Sequence, residues 1–145
     1  MGFALPAAIG ACFGAPDRTV CMFCGDGGLQ MTIQELGTIM EQHTPVKIIL
    51  LNNNYLGNVR QWQEMFFNHR YSFTPMQNPD YEKISAGYGI PCRTVVDRAD
   101  LDDAIQEMLT TEGPFMLQCA VMEEENVMPM VPPGGNIDEM LLSTE

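Results

Sequence analysis

The sequence predicts an α/β domain built on an open, mostly parallel, doubly wound sheet with helices on both faces. Three observations predict it. Apolar runs of strand length alternate along the chain with segments of helical period. The runs are nearly continuous, as in strands covered on both faces. Two of them end in Gly, Asp and Asn, the punctuation that such sheets carry at the carboxyl ends of their strands. With 145 residues, 46% of them hydrophobic, the chain is long enough for one substantial core and too short for two ordinary domains.

The small-residue stretch Leu5-Pro6-Ala7-Ala8-Ile9-Gly10-Ala11 suits a tightly packed helix. Residues 19–24 read as a buried strand that runs into the glycine turn Gly25-Asp26-Gly27. Thr32 and Glu35 stand at capping-box spacing, and Ile33, Leu36, Ile39 and Met40 recur at helical period, which predicts a helix over about 30–42. Pro45 ends it. Residues 46–51 form a second apolar strand that stops at Asn52-Asn53-Asn54 and completes a βαβ unit. Residues 57–67 and 80–88 are helix candidates and 92–96 a strand. Asp100 stands where it would cap a helix that lines Leu101, Ala104, Ile105, Met108 and Leu109 along one face. Gly113-Pro114 then leads into a strand over 115–121. The Pro- and Gly-rich tail lacks a period, so the domain is assigned to 1–122 and an arm to 123–145.

A formal charge of −12 argues against a grip on nucleic acid or an anionic membrane and points to small molecules or protein as partners. No apolar run reaches membrane-span length and the opening lacks the basic start of a signal peptide, so the expectation is a soluble, cytoplasmic protein. Five cysteines scattered through apolar stretches suit reduced thiols. Cys21 and Cys24 spell C-x-x-C, but inside a strand residues three apart face opposite ways, which argues against a zinc or redox role. His43, at a predicted helix end, and His69 have no nucleophile nearby in sequence, and neither is given an acid–base role.

The chemistry is expected at the two polar strand ends, Gly25-Asp26-Gly27-Gly28 and Asn52-Asn53. Glycines let backbone N–H groups approach a phosphate, and carboxylate and amide oxygens are hard donors of the kind Mg²⁺ takes, so together they suggest a metal-bridged diphosphate site. Singly, each cluster is an ordinary turn. The 24 residues 28–51 between them just fit a turn, a helix and a strand returning beside the first.

Gly-Asp-Gly, an interval of this size and Asn-Asn resemble the fingerprint of the thiamine-diphosphate (ThDP) enzymes. Within them the chain is similar to the acetolactate synthases through residues 1–10, Thr44-Pro45-Val46-Lys47, Gln61-Trp62-Gln63, His69-Arg70-Tyr71-Ser72 and Asn78-Pro79-Asp80. The resemblance implies that Asp26, the Asn53 side chain and the Tyr55 carbonyl hold Mg²⁺. It also implies a cofactor pocket of Met1, Gly25, Asp26, Gly27, Gly28, Asn53, Tyr55, Leu56, Gly57 and Asn58, with Met1 beneath the bent cofactor. Trp62 would select the acceptor ketoacid. Asn58 replaces the methionine that the family usually places there.

The implied reaction condenses two pyruvates, or pyruvate and 2-oxobutyrate, with loss of CO₂ in branched-chain amino-acid synthesis. The activating glutamate and most FAD contacts of such enzymes lie in domains that nothing in 1–145 matches. The chain is therefore expected to be N-terminally truncated and inactive alone. Implied partners are the N-terminal domains, a second subunit of a homodimer or larger assembly, and a regulatory small subunit. Two other readings stay open: another ThDP-dependent decarboxylase or carboligase, and a non-catalytic ThDP-binding module paired with a separate chain.

Overall fold

The computed structural model describes residues 1–143. Strands β1 (Cys21–Gly25), β2 (Lys47–Asn52), β3 (Cys92–Val95) and β4 (Phe115–Ala120) form one sheet in the order β1-β2-β4-β3, with every neighbouring pair parallel. Around it lie α1 (Ala4–Gly14), α2 (Asp26–Gln30), α3 (Leu36–Gln42), α4 (Gly57–Phe66), α5 (Tyr81–Gly87) and α6 (Leu101–Thr110).

Side chains alternate across the sheet and build two cores. On one face Met22, Cys24, Ile48, Leu50 and Met116 pack with Leu5 and Ile9 of α1, Leu36 and Ile39 of α3, and Tyr81 of α5. On the other, Val95, Phe115 and Leu117 pack with Ala104 and Met108 of α6. Helices therefore cover both faces, as predicted. The cover on the second face stops short of β1, where Cys21 is exposed and Phe23 is 64% exposed. Cys21 and the buried Cys24 do point apart.

The helix expected over 30–42 is α-helical only over Leu36–Gln42: α2 has ended at Gln30, and a 3-10 turn at Ile33–Glu35 leads into α3. The capping box does not form, because its groups are engaged elsewhere. The Thr32 hydroxyl donates to the Gly2 carbonyl, and Glu35 accepts from the Thr38 hydroxyl. Termination differs as well: His43 ends α3 in the left-handed region at φ 53°, ahead of Pro45. Asp97, not Asp100, makes the side-chain cap near α6, accepting from Ala99 N–H, whereas Asp80 caps α5 by accepting from Lys83 N–H.

Beyond β4 the chain folds back on α4. Gln61 donates to the Val127 carbonyl and accepts from its N–H, both at 3.0 Å. Arg60, 5% exposed, pairs with Glu64 at 2.8 Å and Glu124 at 2.9 Å and lies over the rings of Tyr55 and Tyr71. This polar face of α4 holds the arm against the end of the sheet.

Candidate functional site

Register brings the two motif halves together. Gly25 pairs with Leu51, so Asp26, which follows β1, and Asn52, which ends β2, lie side by side at the carboxyl edge of the sheet. Gly25 is extended at φ −82°, ψ 162°, and Asp26 directly begins α2, so no loop separates strand from helix. The Asp26 carboxylate is thereby drawn inward and is 1% exposed. Its Oδ1 accepts from Gly27 N–H at 2.9 Å and its Oδ2 from the Asn78 amide at 2.6 Å. Among the described residues no Lys, Arg or His pairs with it. A buried carboxylate without a cationic partner is costly.

The asparagine run has a local logic. Asn52 Oδ1 accepts from Asn54 N–H and Asn53 Oδ1 from Tyr55 N–H, each at 3.2 Å, and Asn54 turns the chain at φ 57°, a conformation that asparagine tolerates. Leu56 N–H to the Thr74 carbonyl and Met76 N–H to the Asn54 carbonyl then pin the segment leading to Asn78 beside this turn. Gly57 leaves room for the Asn53 side chain, since a Cβ on it would lie 2.9 Å from Asn53 Nδ2 and oblige that amide to shift.

A cavity of about 970 Å³ opens over these strand ends. All ten residues assigned to the cofactor from sequence line it: Met1, Gly25, Asp26, Gly27, Gly28, Asn53, Tyr55, Leu56, Gly57 and Asn58. Leu56 and Met1 crowd Gly27, where a Cβ would meet Leu56 Cδ2 at 2.7 Å and Met1 Cε at 3.1 Å, whereas a Cβ on Gly28 would meet nothing within 4 Å. Sequence reasoning missed Cys24 and the far wall of Met122, Glu125 and Val127. The signal for that wall was present, since Val121 and Met122 follow a third parallel strand out of the same edge.

Trp62 does not line this cavity. It sits on α4, edge-on to Phe66 at 6.0 Å, in an adjoining groove of about 570 Å³ with Asn58, Val59, Gln63, Phe67 and Arg70. Asn58 and Val59 belong to both spaces and join them.

Burial also sets the protonation of the wall. Desolvation, with Asp26 adding to it, pushes the Cys24 thiol up to about 12. In the core rather than the wall, desolvation likewise pushes Tyr81 up to about 12 against the opposing bond from Gln30, so its hydroxyl stays a donor.

Residues 1–119 match the family described as thiamine pyrophosphate enzyme, C-terminal TPP binding domain, thiamine pyrophosphate (TPP) being another name for ThDP. The chain belongs to this family. This TPP-binding domain is 44% identical over 142 residues to the acetolactate synthase isozyme 2 large subunit of Escherichia coli (strain K12), a match that covers 97% of the chain and 26% of that protein. It is 40% identical over 141 residues to the mitochondrial acetolactate synthase catalytic subunit of Saccharomyces cerevisiae, covering 97% of the chain and 20% of that protein. The domain thus spans about a quarter, or less, of the length of these relatives. Among solved structures it is similar to the Rhodococcus jostii RHA1 thiamine diphosphate-dependent 4-hydroxybenzoylformate decarboxylase, with TM-score 0.80 and 28% identity over 87% of the chain and 24% of that one. No helix among the described residues of the TPP-binding domain is long and apolar enough to cross a membrane.

Proposed function

We propose that this chain is the ThDP- and Mg²⁺-binding portion of an acetolactate synthase large subunit, an enzyme that condenses two pyruvates, or pyruvate and 2-oxobutyrate, with loss of CO₂. One observation carries the reading: a carboxylate 1% exposed and without a cationic partner, in the wall of a cavity that also gathers Gly27, Gly28 and Asn53. In this reading Asp26, the Asn53 side chain and the Tyr55 carbonyl hold Mg²⁺, an ion that takes such oxygens. Backbone groups of Gly27 and Gly28 meet the diphosphate, and the space beside Gly28 supports that close approach.

When bound, ThDP supplies the electron sink for decarboxylation. The chain's own residues bind and orient. Met1 and Leu56 provide apolar wall. Trp62 meets the acceptor ketoacid from the adjoining groove, a role supported by the shared border at Asn58 and Val59. The activating glutamate, FAD, a second subunit and a regulatory small subunit belong to the larger assembly. A cytoplasmic setting is part of the reading; the five free cysteines support a reducing compartment and do not single out that one.

Calorimetry of ThDP against the chain with Mg²⁺ and with EDTA tests it. Metal-dependent binding is expected, with no pyruvate consumed by the chain alone. Binding that ignores EDTA would sink the metal bridge.

A further inference from the structure

Asn78 bridges the two halves of the motif. Its amide nitrogen lies 2.6 Å from Asp26 Oδ2, 2.9 Å from Asn52 Oδ1 and 3.1 Å from Asn54 Oδ1. An amide nitrogen carries two hydrogens, so three oxygens from two different strand ends compete for two donors. All three oxygens nonetheless converge on this one donor group.

The amide is aimed from behind as well. Asn78 Oδ1 accepts from Gln30 Nε2 at 2.7 Å and from the Tyr81 hydroxyl at 3.1 Å. Gln30 closes α2, the helix that Asp26 opens, and Tyr81, 2% exposed, opens α5. An ionised carboxylate only accepts, so the nitrogen must face Asp26 and the oxygen must face the two donors. Pro79 and the capping residue Asp80 follow at once, which ties the Asn78 backbone to the start of α5.

We infer that Asn78 is a positioning residue for the metal: it holds the Asp26 carboxylate and the Asn52–Asn54 turn in one cluster, so that both halves of the site are set before the ion arrives. The inference rests on the ThDP and Mg²⁺ reading above. Asn78 itself does not line the cavity. Each carboxylate oxygen has about two lone-pair sites, so an Oδ2 that accepts from Asn78 keeps one for a cation. Groups that orient metal ligands in this way are typically worth about 10- to 100-fold in metal affinity.

The test uses Mn²⁺ as the probe, with free Mn²⁺ read by electron paramagnetic resonance in the presence of ThDP. In Asn78→Ala the Mn²⁺ affinity should fall about 10- to 100-fold, and raising Mn²⁺ should restore ThDP binding to the wild-type level, a rescue that general damage to the fold would not show. Tyr81→Phe keeps the buried ring and removes one donor behind Asn78. It should weaken Mn²⁺ binding a few-fold in the wild-type background and not at all in Asn78→Ala, because both act through one path. Full additivity of the two, or an Asn78→Ala chain that binds Mn²⁺ like wild type while Asp26→Ala does not, would overturn this inference and leave the ThDP reading standing. A wild-type chain that takes up neither Mn²⁺ nor ThDP would overturn both.

Discussion

At the amino end of β2 the Lys47 side chain is 4% exposed and its ammonium donates to the carbonyls of Thr111 and Gly113, both at 2.6 Å. At the carboxyl end of β1 the Asp26 carboxylate is 1% exposed and has an N–H and an amide for company, with a cavity beside it. Lys47 meets the negative end of α6, where two carbonyls accept from its ammonium and offset part of the desolvation that lowers its pKa. Asp26 is held in place but not neutralised. A buried charge closed off by its own chain is structural, and one left facing a cavity waits for a ligand.

The largest effect that would break this contrast is on binding. Asp26→Ala should reduce Mg²⁺-dependent ThDP binding below detection by calorimetry while the melting temperature holds or rises, because an uncompensated buried charge is removed. A large loss of stability without loss of binding would make Asp26 another Lys47.

Lys47→Met should do the reverse. Two part-buried carbonyls lose their donor and the charge it carried, which together costs about 3 kcal/mol, or a fall of roughly 6–12 °C in Tm. ThDP affinity, measured well below the new Tm, should be unchanged. A drop in affinity at constant Tm would show that the two ends are not independent.

Alkaline titration sharpens the comparison further. Burial raises Cys24 and Cys92 from 9.0 to about 12 and Tyr81 from 10.0 to about 12, so the folded chain holds these protons more tightly than the unfolded one. Their contribution is complete below about pH 9 and is lost as pH rises toward 12. Lys47, lowered from 10.5 by desolvation, works the other way: its unfolded form binds the proton more tightly, so its contribution grows as pH approaches 10.5. Urea midpoints should therefore fall between pH 9 and 11, and fall more steeply in Lys47→Met. A midpoint that stays flat over that range would contradict the burial of the three acids.

The smallest effect is expected at Gly28→Ala. Its Cβ meets nothing within 4 Å, so Tm should move by no more than a few degrees, while ThDP affinity drops about tenfold, or 1.4 kcal/mol, if the backbone must approach the diphosphate. Unchanged affinity would place the diphosphate elsewhere in the cavity.

Much of this was legible in the sequence because it is local. Continuous apolar runs and the helical period of 101–109 come from neighbours a few residues apart, and they placed four strands within two residues of their observed ends. The site was legible for a related reason. Parallel strands joined by a crossover helix must end at the same edge, so Asp26 and Asn53 were bound to come out at one edge of the sheet, where both line the cavity, once 19–24 and 46–51 were read as strands. The resemblance then supplied residue roles that spacing alone does not.

What stayed hidden was which polar side chains are buried and why, since that depends on partners far along the chain. Thr32 abandons its capping box for a carbonyl 30 residues away at Gly2. Lys47 lies in an apolar strand because acceptors 64 and 66 residues on close around it. Asn78 and Asp26 are separated by 52 residues and meet at 2.6 Å. The sequence by itself determined the fold class and the strand ends that carry the site, because periodicity and chain reach are properties of short segments. Only the tertiary structure decided which charge would be closed off and which left open to a ligand, because the cost of burying a polar group is set by whatever distant atoms arrive to satisfy it.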